Sequence, residues 1–265
     1  SPAARAAARL PEWNLADLYA GVESDALKSD LAAVEKDAAA FEDRYKGKLA
    51  GLSGKDLGAA IAACEKISET LSRLSSYAQL LHAGNMSDAT IGQFYQTLQE
   101  RVTDISSRTL FFALEINRID DATLAKQLQD KAAAHYRPWL RDVRAFRPHQ
   151  LGDDLEKLLH EKSVAGRNAW VRLFDETMAG LRFDIDGRKM TSTEVLHLMS
   201  HKDRDTRRKA AKSFGQGLGD NARTFALITN TLIKDKEIED RWRGYARPVS
   251  SRNLGNFVED EVVDA

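Results

Sequence analysis

Three features of this sequence predict an all-α fold. Apolar residues recur over long runs at alternating three- and four-residue steps, and turn formers are scarce, with 16 Gly and 5 Pro in 265 residues. Only one short β-type alternation, at 181–190, interrupts the helical pattern. Hydrophobic residues make up 43% and charged residues 30%, enough to bury a substantial core. The expected architecture is a long-helix antiparallel bundle followed by further helices, with one small β-hairpin near 181–190.

The chain opens with an aromatic-rich lead-in, Leu10-Pro11-Glu12-Trp13-Asn14-Leu15 with Leu18 and Tyr19, expected to be irregular and pinned to the helices by Trp13 and Tyr19. Ser24 or Asp25 then opens a helix whose stripe is Leu27, Leu31, Val34, Ala38, Phe41 and Tyr45, and Gly47 ends it. A second long helix carries Leu57, Ile61, Cys64, Ile67, Leu71, Leu74, Ala78 and Leu81 until Gly84-Asn85. Ser87 or Asp88 caps a third, with Ile91, Phe94, Leu98, Val102, Ile105, Phe112 and Ile116 on its stripe. Short connections make these three helices antiparallel neighbours.

The middle is more broken. Helices are expected from about Asp121 to His135, from Pro138 through Phe146, from about Asp153 to Lys162 and from about Gly166 to Met178, the last packing through Trp170, Leu173 and Phe174. Leu181, Phe183 and Ile185 then alternate with Arg182, Asp184 and Asp186, and Asp186-Gly187 can close a hairpin. Thr191 or Ser192 caps a helix with Val195, Leu196 and Met199; Asp203 or Asp205 caps the next, with Ala210, Ala211 and Phe214. Gly215-Gln216-Gly217-Leu218-Gly219 reads as a C-cap and loop. A long helix from about Asp220 to Arg243 carries Phe225, Ile228, Leu232 and Ile238, and a final one, Asn256 to Ala265, shows no stop signal.

With 39 basic against 40 acidic residues the formal charge is −1, so no global field favours nucleic acid or an anionic membrane. No apolar run reaches the roughly 20 residues of a membrane span, and the start has no signal-peptide core. A cytoplasmic protein is expected. Cys64, the one cysteine, sits at helical spacing among Ile61, Ile67 and Leu71 and reads as a small core residue.

Catalytic motifs are incomplete. His160-Glu161 begins like His-Glu-x-x-His, but the position of the second histidine is Val164. His197 and His201 have the i, i+4 spacing of a metal pair with Glu194 one turn before, yet Leu198 stands where the glutamate is needed. Arg204, Arg207, Arg208, Lys209 and Lys212 form a basic run that Asp203 and Asp205 offset, so a salt-bridged face is expected, as it is for Arg137, Arg141, Arg144 and Arg147 beside Trp139 and Phe146. No catalytic, cofactor-binding or metal-ligating residue is assigned.

The order of several fragments nevertheless resembles one family. The lead-in Leu10 to Tyr19, the segment with Leu155, Glu156, Leu158 and Leu159, the Ala169-Trp170 and Leu173 pair, the hairpin from Leu181, Asp203-Arg204 with Arg207 and Ala210, Asn221, and Arg243-Gly244-Tyr245 before the Asn253 to Val263 helix together resemble the amino-terminal half of the oligoendopeptidase F type of zinc metallopeptidase, in the thimet oligopeptidase-like family. That resemblance implies a helical ellipsoid with a deep channel between two lobes. It also implies zinc-dependent hydrolysis of short peptides by a His-Glu-x-x-His motif and a downstream glutamate in the carboxy-terminal half, none of which matches a position here.

The expected organisation is therefore an amino-terminal bundle at 1–118, a broken helical connector at 119–180, and a hairpin with helices at 181–265 that begin the catalytic lobe and stop before the zinc motif. Alone, the chain is expected to be inactive and to bind no zinc. Its partners would be the missing carboxy-terminal lobe and, in the parent enzyme, short peptides, with no nucleic acid or membrane. The rival expectation is a free-standing helical binding or scaffold module without catalysis.

Overall fold

The computed structural model describes residues 13–265; the first part of the lead-in, Leu10 to Glu12, lies outside them. Of the two anchoring aromatics, Tyr19 is buried and its hydroxyl donates to Asp30 at 2.7 Å, whereas Trp13 is 92% exposed and pins nothing among the described residues.

Helix α1, Asp25–Tyr45, starts at Ser24, whose Oγ accepts from the Leu27 N–H, and all six residues of its predicted stripe are buried. Helix α2, Gly54–Gly84, buries Leu57, Ile61, Ile67, Leu71, Leu74 and Ala78, with Cys64 and Leu81 half-buried at the margin of the stripe. Helix α3, Ala89–Ser107, is capped by Asp88, which accepts from the Thr90 and Ile91 N–H groups.

The predicted third helix does not run on to Ile116. It breaks at Arg108-Thr109, and α4, Leu110–Arg118, resumes. Ser106 Oγ donates to Thr103 O and Thr109 Oγ1 to Ser106 O, each at 3.0 Å, so side-chain hydroxyls take carbonyls the ladder would use. The expected Asp121 to His135 helix is likewise two pieces, α5, Asp121–Gln127, and α6, Lys131–Ala134, because Asp130 caps the second by accepting from the Ala132 N–H. Helix α7, Arg137–Ala145, has Pro138 in its first turn, where the missing N–H costs nothing. One hydrophobic core runs through all seven helices, from Tyr19 to Leu140.

Helices α8, Asp153–Lys162, and α9, Arg167–Gly180, follow with no fully buried residue in either. The expected packing face of α9 is thus only half made: Leu173 and Phe174 remain 42% exposed, with the Phe174 ring edge-on to Phe225 at 5.5 Å.

Strands β1, Phe183–Ile185, and β2, Arg188–Met190, pair antiparallel with Phe183 opposite Met190. Asp186 and Gly187 both take positive φ, as a two-residue type I′ turn demands. Helix α10, Ser192–Leu198, begins with a reciprocal capping box between Thr191 and Glu194, and α11, Arg204–Asp220, is capped by Asp203. Phe183, Met190, Val195 and Ala210 form a second, smaller core.

The Gly215 to Gly219 stretch is not a loop. It lies inside α11, and the reason is Gly217: a Cβ there would sit 2.6 Å from the Phe183 ring, so the absence of a side chain lets the helix close onto the hairpin. Helix α12, Ala222–Arg243, ends at Gly244 in the left-handed conformation. The expected final helix is divided into α13, Ser250–Gly255, and α14, Asp260–Asp264, by Phe257 at φ 52°. The long helices, with this two-stranded hairpin as the only sheet among the described residues, make the fold all-α.

Candidate functional site

A cleft of about 1170 Å³ opens between α4, α7, α9, α12 and the segment after Gly244. Its apolar side is given by Trp139, Val143, Phe146, Val171, Leu232 and Phe257. Asn117 also lines it and is 5% exposed. The Asn117 Nδ2 donates to Gln150 Oε1 at 2.8 Å, and the Gln150 Nε2 donates to Leu114 O at 3.2 Å. The Asn117 Oδ1 acceptor is buried without a partner among the described residues.

Beside this floor, the corner that ends α12 is tied back onto the start of α8. The Arg243 guanidinium donates from Nη1 and Nη2 to Glu156 Oε1 and Oε2 at 2.7 and 2.9 Å, from Nη1 to His149 O at 3.1 Å, and from Nε to Glu239 at 2.7 Å. A carbonyl only accepts, so the 2.9 Å contact between His149 and Arg243 O places the proton on Nδ1. The His149 ring stacks on Tyr245 at 3.9 Å between centroids. Burial opposes ionisation of Glu156, but the Arg243 hydrogen bonds and the Leu151 N–H outweigh it and hold the carboxyl below its ordinary value. Arg243 is raised in turn, chiefly by its hydrogen bond to Glu156.

The residues weighed as metal ligands do not converge. Helix α10 ends at Leu198, so His201 leaves the face that carries His197, and its Nδ1 accepts from the Asp203 N–H at 3.1 Å. Glu194 is engaged by the Thr191 N–H at 2.8 Å. His160 Nε2 meets Ser106 Oγ at 2.8 Å and joins α8 to α3. Among the described residues no group of three or more His, Cys, Asp or Glu could hold a metal ion.

Most members of the two basic series are engaged internally. Arg207 Nη1 donates to His201 O and Lys202 O, Arg208 pairs with Asp205 and Lys209 with Asp186. Arg144 Nη1 caps α4 through Ile116 O and Ile119 O at 2.7 and 2.8 Å, and Arg147 pairs with Asp121. No described helix is long and apolar enough to cross a membrane.

Sequence reasoning did not assign Asn117, His149 or Gln150 to a site, since each is a lone polar residue without motif spacing. Glu156 and Arg243 stand in two separate fragments of the family resemblance, and the fold brings those fragments into contact.

Residues 115–183, which supply Asn117, Trp139, His149, Glu156 and Val171 to this cleft, match the family model described as Oligopeptidase F. The resemblance to the amino-terminal half of oligoendopeptidase F holds. The oligoendopeptidase-F of Enterococcus faecium superposes with a TM-score of 0.81 at 19% identity, over 91% of this chain and 49% of that one. A Chlamydophila abortus protein described as a peptidase superposes with a TM-score of 0.57 at 16% identity, over 95% of this chain and 43% of that one. At these identities the likeness is one of fold, and the chain spans about half the length of the solved structures it matches. No curated protein matches the chain in sequence.

Proposed function

We propose that this chain is the amino-terminal, non-catalytic part of a cytoplasmic zinc metallo-oligoendopeptidase that hydrolyses short peptides, and that it forms one wall of the substrate channel. The observation that carries the reading is the fold match over 91% of this chain and 49% of the Enterococcus faecium oligoendopeptidase-F, joined to the Oligopeptidase F match at 115–183. The bundle, whose core runs on to Leu140, leads through the remaining helices of 119–180 to 181–265, which begin the catalytic lobe. Zinc would activate water for attack on the peptide bond, held by residues beyond this chain. What these residues contribute is shape: a rigid wall, fixed at its corner by Arg243 and Glu156, that limits entry to short unfolded peptides.

The test is a quenched fluorescent oligopeptide incubated with zinc and either this chain or the polypeptide extended through the downstream coding sequence. Turnover is expected from the extended polypeptide alone. Turnover by the 265 residues by themselves, or by neither, overturns the reading.

A further inference from the structure

Helix α12 carries more apolar surface than the described residues cover. Of its 22 residues only Ile228 is buried, while Leu227, Ile233 and Trp242 are 59%, 62% and 60% exposed. Leu227 and Ile238 stand three helical turns apart and Trp242 one turn further, so these three share a face. Ile233 opens instead onto the cleft. Apolar residues thus flank α12 on two sides, with Asn230, Glu237 and Arg241 between them on the back, a distribution suited to a helix packed within a protein.

One further observation says what covers it. The Enterococcus faecium structure matches nearly all of this chain yet half of it has no counterpart in these 265 residues.

We propose that α12 is the helix on which the two halves of the parent polypeptide meet. An apolar face of the carboxy-terminal half covers Leu227, Ile238 and Trp242. This rests on the reading of the chain as an amino-terminal part.

Hydroxyl-radical footprinting of the 265-residue chain and of the full-length polypeptide tests it. Modification of Trp242 and Ile238 is expected to fall roughly fivefold in the full-length polypeptide, because the core of an interface excludes water. Trp242→Lys should lower the melting temperature of the full-length polypeptide and leave that of the 265-residue chain unchanged. Equal modification of Trp242 in both, with peptide hydrolysis intact in the full-length form, overturns this inference while the proposed function stands. Loss of the exposed signal in the 265-residue chain together with a dimeric mass assigns the face to a second copy and also overturns it. A full-length polypeptide without peptidase activity counts against the proposed function, and the footprint is read separately from it.

Discussion

Arg243 and Glu156, 87 positions apart, meet in a two-pronged ion pair whose side chains are only 17% and 12% exposed. Removing one partner leaves the other charge buried. Arg243→Met is therefore expected to destabilise the chain by about 3 kcal/mol, and the double variant Arg243→Met, Glu156→Leu to recover much of that, since a buried pair replaced together by apolar groups is close to neutral. Urea unfolding of the three proteins measures both. A cost below about 1 kcal/mol for the single change would show that the pair behaves as a surface bridge.

The same pair sets an acid dependence. Glu156 is held below its ordinary value near 4.5, so its contribution is fully present above that pH and is lost as pH falls through the lower value of the folded state. Wild type and Glu156→Gln should differ most at pH 7 and converge below pH 4.5, each protonation linked at up to about 1.4 kcal/mol per pH unit. Unfolding free energies measured from pH 7 downward check this, and parallel curves would refute it.

Gly217 and Gly219 lie two residues apart in α11 with opposite expected responses. A Cβ at 217 meets Phe183, itself 1% exposed and packed on Phe214, so Gly217→Ala should cost about 1–3 kcal/mol despite its better helix propensity. Gly219 has nothing within 4 Å of its Cβ position, and Gly219→Ala should stabilise by up to about 1 kcal/mol. Thermal melts of the two variants are sufficient.

His82 is 5% exposed on α2, stacked on Tyr95 at 4.7 Å, and neither ring nitrogen has a hydrogen-bond partner among the described residues. His82→Phe keeps the stack and removes two buried polar atoms, and it should raise stability by about 1 kcal/mol. A loss in urea unfolding would mean that the imidazole is satisfied in solution.

Burial pushes the Cys64 thiol up to about 11. The folded chain should therefore react with a disulfide reagent at pH 8 far more slowly than the same chain in denaturant, because the thiolate is the nucleophile. Equal rates would place Cys64 in solvent.

The helical bundle was legible because its signal is local. The stripe Leu27, Leu31, Val34, Ala38, Phe41 and Tyr45 repeats often enough to define a face, and every member is buried. Caps are equally local: Asp88, Thr191 and Asp203 each bond an N–H two or three residues away. The breaks at Thr109 and Asp130 came from side chains competing for single backbone groups, which leaves almost no mark on a periodic pattern.

The cleft was not legible. Asn117, Gln150, Glu156 and Arg243 come from four places in the chain, and nothing in the composition or spacing of any of them requires the others. What the sequence determined by itself was the class of fold, most helix faces and starts, the Asp186-Gly187 turn and the absence of a His-Glu-x-x-His motif. Only the tertiary structure decided that Gly217 is a contact rather than a loop, that α12 keeps a broad apolar surface, and that the start of α8 and the end of α12 are locked together. Helical periodicity and caps are encoded within a few residues, whereas close approach and buried pairing depend on which distant elements arrive at the same place.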